Sequence, residues 1–324
     1  MTKVIGLISG GLDSILAARI ILEQGIEVIG VAFTTPFFGS HGAKQAAQAS
    51  DIPLRILDIT ETHLKMVRSP RHGYGSNMNP CIDCHGLMLS EAGGLMEREG
   101  GDFLFTGEVL GQRPMSQNKA ALRVVERESG YEGRVLRPLS AKLLPETLPE
   151  QEGLVDRQRL LAISGRSRKR QLELARHYHI TEYLTPAGGC LLTDPIFSRR
   201  LRDLFDHHER VQVRDIELLK IGRHLRLSPA VKMIVGRNAR DNERIAQLLV
   251  PGDDLLEVAE YPGPLCLIPH GGSLEEIQQA AAICVRYSDA PKAEEIAVLW
   301  SRGGEERRVN VRSCPPALPA ELMI

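Results

Sequence analysis

Residues Lys3 to Ser14 read KVIGLISGGLDS, and the fold follows from them. Lys3 to Ile8 is a short, β-branched apolar run, the signature of a buried strand. Two glycines stop it, and LDSILAARIILEQG then places apolar residues at helical spacing until Gly25. Strand, tight turn, helix is the expected order, with Ser9-Gly10-Gly11-Leu12-Asp13-Ser14 at the joint. The glycines let the backbone approach an anion closely. The helix start aims unpaired N–H groups and a positive dipole at it, and Ser9 and Ser14 add hydroxyls. This reads as a pyrophosphate cradle. Neither GxxxxGK[ST] nor GxGxxG is present, so it is neither a Walker loop nor a dinucleotide fingerprint. With no lysine in the loop, Asp13 is the residue to hold a magnesium ion against the phosphates. A plain serine-capped turn is the competing reading.

Working outward, EVIGVAF (Glu27 to Phe33) is a second strand, Gly42 to Ser50 a short helix and Leu54 to Ile59 a third strand. A Gly/Pro/Asn-rich loop, Ser69 to Pro80, leads to Cys81 and Cys84, a helix to about Glu99 and a fourth strand, Phe103 to Thr106. Alternating strands and helices predict an α/β fold, a doubly wound parallel sheet that binds ligands beyond the carboxyl ends of its strands. Periodicity weakens from Ala141 to Gly165. A basic helix over Arg168 to His179 leads to TPAGGCLLTDP around Cys190, and Phe197 to Arg226 reads as amphipathic helix. Past Leu227 strand-like pieces alternate with turns around one helix, Leu274 to Tyr287, which predicts a smaller α+β domain. The expected organisation is residues 1–195, a basic helical connector at 196–227, and 228–324.

Total charge, 40 Lys+Arg against 41 Asp+Glu, does not announce a nucleic-acid partner. Its distribution does: Arg157 to Arg226 holds 15 basic against 8 acidic residues, while the remainder is acidic. Within it Arg166, Arg168, Lys169 and Arg170, then Arg223 and Arg226, are the candidate RNA contacts, with solvated charge as the alternative. The chain start has one lysine and an apolar run that ends at glycines, so a buried strand is expected there and no signal peptide. No stretch approaches a membrane span. Six cysteines are too few for a disulfide scaffold, and Cys81-x-x-Cys84 points to metal or thiol chemistry in a reducing compartment. The expected location is cytoplasmic.

SGGLDS resembles the PP-loop of the ATP pyrophosphatase superfamily, whose members cleave ATP between the α and β phosphates and adenylate a substrate oxygen. MNPCIDCH, Met78 to His85, is similar to the NPCxxCN segment of tRNA 2-thiouridylases, with His85 where those enzymes carry asparagine. TGEVLGQRPMSQ, Thr106 to Gln117, resembles the TGExxGQxxSQ stretch of tRNA 4-thiouridine synthetases, and Arg137-Pro138-Leu139 matches their RPL. The resemblance covers roughly Met1 to Pro195. It implies an ATP-dependent tRNA sulfur transferase with ATP over Ser9 to Ser14 and magnesium at Asp13. Ala32 and Phe33 would meet the adenine edge, Phe33 being equally readable as core. Thr106, Gly107, Glu108, Gln112 and Gln117 would line the ATP and RNA site. His72 is a further loop candidate.

By the same resemblance Cys84 matches the sulfur-bearing cysteine and Cys190 its partner. Cys81, Cys84 and Cys190 are also similar to the ligand set of PP-loop thiolases that hold a [4Fe–4S] cluster with one open iron. A persulfide relay on two cysteines and a zinc site completed by His85 stay open beside the cluster. A sulfur donor, either a cysteine desulfurase relay or sulfide, is the implied second partner. No segment like a THUMP domain precedes the loop and none like a rhodanese follows, so RNA capture and sulfur delivery are expected to differ from those of the larger 4-thiouridine enzymes. VGRNARDNERI, DDLLEVAEYPGPLCLI, Tyr287-Ser288 and IAVLWS resemble the NFACT-type RNA-binding domain, with Arg237, Asn238 and Arg240 as its RNA candidates. A PP-loop enzyme of small molecules and a non-catalytic RNA-binding or sulfur-trafficking protein are the rival readings.

Overall fold

The computed structural model describes residues 2–183 and 190–324. Its contacts divide the chain into two compact units, Met1–Asp194 and Pro195–Ile324.

In the first unit β1 (Lys3–Leu7), α1 (Leu12–Leu22), β2 (Glu27–Thr34), α2 (His41–Ala49), β3 (Leu54–Asp58), α3 (Thr60–Arg68), α4 (Cys81–Glu99), β4 (Phe103–Phe105), α5 (Lys119–Ser129) and β5 (Val135–Leu136) follow in order. The strands form one sheet in the order β3-β2-β1-β4-β5, and every pairing is parallel. The doubly wound reading is correct. Strand order reverses between β1 and β4, so the crevice of such a sheet opens above their carboxyl ends. SGGLDS follows β1 and TGE follows β4. The central strands read as continuous apolar runs because both faces are covered: Val4 packs with α1, Ile5 with α4. Gly6 is required because Phe105 of β4 lies over it; a Cβ there would come within 2.1 Å of the ring.

Two short helices follow, α6 (Leu148–Gln151), opened by a Thr147/Glu150 capping box, and α7 (Lys169–His177). The glycine-preceded turn expected ahead of Cys190 falls on residues 184–189, outside the described residues.

The second unit holds α8 (Pro195–His207), α9 (Val213–Leu219), β6 (Arg223–Arg226), β7 (Lys232–Val235), α10 (Ala239–Gln247), β8 (Asp254–Val258), β9 (Cys266–Ile268), α11 (Leu274–Tyr287), β10 (Glu295–Arg302), β11 (Glu305–Arg312) and α12 (Leu318–Glu321). Its sheet runs β11-β10-β8-β9-β7-β6, all antiparallel, with α11 against one face. Arg223 to Arg226 departs from the helical expectation. Gly222, at φ +67°, sits with its Cα against the Val235 carbonyl, and the four residues after it pair with β7 instead of continuing α9. Ladder bonds to a neighbouring strand override a local helical pattern. Among the described residues no helix is long and apolar enough to cross a membrane.

Candidate active site

The turn from Ser9 to Ser14 joins β1 to α1. Gly10 adopts φ +82°, and a Cβ there would lie 2.3 Å from the Gly42 carbonyl carbon at the start of α2, so only glycine fits. Gly11 is the N-cap of α1 and supplies no side-chain cap, which leaves the helix start open to an external acceptor. The serines hold the turn shut: Ser14 Oγ donates to the Gly11 carbonyl at 2.8 Å, and the Gly11 N–H points to Ser9 Oγ at 3.4 Å. Ser9 is exposed and Gly11 half-exposed, so a ligand can reach the loop. Leu12 belongs to the core, and only its backbone faces the loop.

Asp13 is half satisfied. Its Oδ2 accepts from Gln112 Nε2 at 3.0 Å, while Oδ1 is buried with no partner among the described residues. A buried carboxylate oxygen without a donor is costly unless a cation or donor meets it, so Asp13 suits a magnesium ion. Ala32 and Phe33 both put their side chains into the core. Strand alternation nevertheless turns the Phe33 N–H and C=O toward β1, beyond the last paired residues, Leu7 and Val31. That leaves a backbone edge at the carboxyl end of β2.

The rim between β1 and β4 is closely fitted. A Cβ on Gly107 would stand 2.5 Å from the Ser14 amide nitrogen, so the end of β4 lies directly on the start of α1. The next residue, Glu108, is buried and receives three partners: His85 Nδ1 at 2.8 Å, Arg137 Nε at 3.0 Å and the Thr106 hydroxyl at 3.2 Å. Burial alone would raise its carboxyl, but the Arg137 guanidinium and His85 outweigh burial and hold its pKa down to about 2. Arg137, from RPL, also pairs with Glu126 of α5. His85 Nδ1 is therefore committed to Glu108, which leaves Nε2 as its one ring nitrogen for any other partner. Among the described residues no group of three or more His, Cys, Asp or Glu is disposed to hold a single metal ion.

Cys81 and Cys84 lie in the first turn of α4, and Cys190 is brought to them by the segment after it. Met78 N–H donates to the Leu192 carbonyl at 3.2 Å, Asn77 Nδ2 to the Thr193 carbonyl at 2.7 Å, and Leu191 N–H to the Phe37 carbonyl at 3.1 Å. All three thiols are free and close enough to feel one another's charge. The expected thiolate character from the helix start is not what dominates. Burial pushes all three thiols up: Cys190 to about 11, and Cys84 furthest, with Cys190, Cys81 and Asp83 adding repulsion. Arg113 acts the other way on Cys81 and Cys190.

Two dipeptides thus join the two halves. Gly107 touches the phosphate loop and Glu108 holds His85, the neighbour of Cys84; Gln112 holds Asp13 and Arg113 faces Cys81 and Cys190. Sequence reasoning missed His63 altogether. This α3 residue has no exposed surface, packs against the rings of Phe37 and Phe38, and places Nε2 3.3 Å from Cys84 Sγ. Burial lowers its pKa to about 4, so the ring is neutral. A histidine on the apolar face of ETHLKMVR carries no local signal that marks it. His72 Nδ1 pairs with Asp83 at 3.1 Å, tying the loop before the cysteines to α4. Gln117 is buried, its Oε1 accepting from the Arg113 N–H.

Of the basic candidates, Arg166, Lys169 and Arg170 are exposed, Arg170 pairing with Glu173, and Arg168 is half-buried at the N-cap of α7. In the second unit Arg223 lies over the Tyr287 ring at 4.9 Å. Arg226 is bonded through Nε and Nη2 to Asp203 of α8, which also pairs with buried Lys232. Asn238 caps α10 by accepting from the Asp241 N–H, Arg237 pairs with Asp241, and Arg240 is exposed.

Among curated relatives, a probable tRNA sulfurtransferase of Methanosarcina mazei is 30% identical over 118 residues, 34% of this chain and 29% of that protein. A tRNA-specific 2-thiouridylase of Syntrophotalea carbinolica is 33% identical over 117 residues, 31% of this chain and 32% of that protein. The chain spans about a third of the length of these relatives. A solved 4-thiouridine synthetase, in complex with RNA and ATP, aligns over 68% of this chain and 52% of its own at 22% identity and a TM-score of 0.37. Residues 1–142 match the family described as thiamine biosynthesis protein (ThiI), and residues 222–318 match the NFACT protein RNA binding domain. The chain thus joins a PP-loop unit similar to tRNA-thiolating enzymes to a unit similar to an NFACT RNA-binding domain.

Proposed function

We propose that this protein is an ATP-dependent tRNA sulfur transferase of the cytoplasm. The observation that carries the reading is the pair of bridges Gly107-Glu108 and Gln112-Arg113, each with one residue on the phosphate loop and the next toward the thiols. ATP lies over Ser9 to Ser14 with magnesium at Asp13, and adenine meets the Phe33 backbone. A base carbonyl oxygen attacks the α phosphorus and pyrophosphate leaves. Sulfur from the cysteines then adds to the activated carbon, and AMP departs with the former carbonyl oxygen. The protein contributes position and charge: loop amides and the α1 dipole stabilise the pyrophosphate, and Arg113 the incoming anionic sulfur. Exposed Arg166, Lys169 and Arg170 contact RNA phosphates.

The thiol-only donor set of Cys81, Cys84 and Cys190, all free, suits an iron–sulfur cluster. Those three residues would hold it, and when bound it would supply an open iron site for sulfide. A persulfide on Cys84 resolved by Cys190 uses the same residues. The test is anaerobic incubation with ATP and bulk tRNA, measuring pyrophosphate and thionucleoside together. The reading requires tRNA-dependent pyrophosphate release with a thionucleoside in the RNA. Release without tRNA would instead indicate a small-molecule substrate, and neither product would leave a non-catalytic RNA-binding role.

A further inference from the structure

We propose that His63 is a positioning residue for Cys84, its Nε2–H donating to the cysteine sulfur and holding Sγ in the place where it accepts sulfur; this rests on the sulfur-transfer reading above. Three observations lead there. First, the contact is direct, 3.3 Å from Nε2 to Sγ, and wholly buried. Second, Nδ1 is buried and has no partner among the described residues. An orphaned N–H is costlier inside a protein than an empty lone pair, so the ring proton belongs on Nε2, where it has the sulfur to bond. Third, the ring is packed against two aromatic neighbours. Phe37 lies at 5.5 Å and tilted, and Phe38 at 5.3 Å and edge-on.

The device answers a problem the site poses. Cys84 is the most deeply buried of the three thiols, so incoming sulfur must meet its Sγ at one position. A fixed donor aimed at Sγ holds this one atom there. Among the described residues no imidazole faces the sulfur of Cys81 or Cys190, so His63 distinguishes Cys84 from its neighbours. The Phe37 carbonyl that receives the Leu191 N–H ties this packing to the Cys190 segment.

In the loading step the Cys84 thiolate attacks the sulfane sulfur of a small persulfide. An S–S bond forms at Cys84, the donor's S–S bond breaks, and the departing thiolate takes the proton that Cys84 gave up. No outside oxidant enters.

The experiment uses the full chain with glutathione persulfide, anaerobically and without ATP or tRNA, and maps the added sulfur atom by peptide mass. The wild type is expected to carry it on Cys84. His63→Phe and His63→Leu, which keep an apolar filling but no donor, should load Cys84 about tenfold less with Cys81 and Cys190 unchanged, and His63→Gln should recover most of the loss. Thermal midpoints are recorded for every variant, so a folding defect, which would lower loading at all three cysteines, is separated from a defect at Cys84. Equal loading of Cys84 in a folded non-donor variant, or no recovery with His63→Gln, overturns the proposal. Because ATP and tRNA are absent, such a failure leaves the pyrophosphate test of the proposed function standing.

Discussion

The phosphate loop and the cysteine cluster belong to one unit but are solvated in opposite ways. At the loop, Ser9 is exposed, Gly11 half-exposed, the turn is closed by its own hydroxyls, and Asp13 keeps one carboxylate oxygen unmet. At the cysteines, burial pushes every thiol up, while His63 lies beside Cys84, Asn79 and Ser116 bond to Cys81, and the Leu192 backbone bonds to Cys190. The loop end keeps a carboxylate oxygen unmet, whereas the thiol end lies in surroundings that oppose charge on sulfur. On the proposed function, the difference means that adenylation and sulfur delivery can be disabled separately, although Glu108 and Gln112 physically couple the two ends.

Breaking the phosphate end should have the largest effect. Asp13→Asn keeps the acceptor for Gln112 but removes the charge facing the unmet position, and pyrophosphate release should fall roughly 100-fold or more while persulfide loading of Cys84 is unchanged. Gly107→Ala strikes the joint between the halves. Its Cβ has no room against the Ser14 backbone, so a loss of about 3 kcal/mol in urea unfolding and a drop in both activities are expected.

Glu108 gives a pH signature. Its folded pKa lies below the ordinary 4.5, so its contribution is fully present above about 4.5 and is lost as pH falls toward 2. The wild type should lose on the order of 3 kcal/mol across that window, and Glu108→Gln, already weaker at neutral pH, should show a much flatter dependence in urea midpoints measured against pH. The smallest effect is expected at the surface. Lys169→Ala with Arg170→Ala should weaken tRNA binding by less than about tenfold and reduce the salt slope by about two, with the thermal midpoint unmoved.

Legibility in the sequence followed the range of the interaction. KVIGLISGGLDS announced strand, turn and helix because the pattern is local, and the alternation of later strands and helices was enough for a parallel sheet. The reversal between β1 and β4 was not readable, yet the two motifs with recognisable chemistry both flank it. The pairing of Arg226 with Asp203 was not readable, because Asp203 lies a full helix and a turn upstream and net charge along the chain is blind to it. Arg223 to Arg226 looked helical because only β7 and the close fit of Gly222 to Val235 make it a strand. Leu12 was named through membership of a motif, and packing puts its side chain in the core. His63 had no signal, since a histidine on a buried helix face gains meaning only from the sulfur it meets.

The most direct test of two separable ends joined in one site is Cys84→Ser, with pyrophosphate and thionucleoside quantified in the same anaerobic reaction with ATP and tRNA. The account predicts that tRNA-dependent pyrophosphate release persists within about threefold of wild type while thionucleoside falls to background. Full thionucleoside yield from Cys84→Ser, or loss of pyrophosphate release together with sulfur transfer in a stably folded variant, would contradict it.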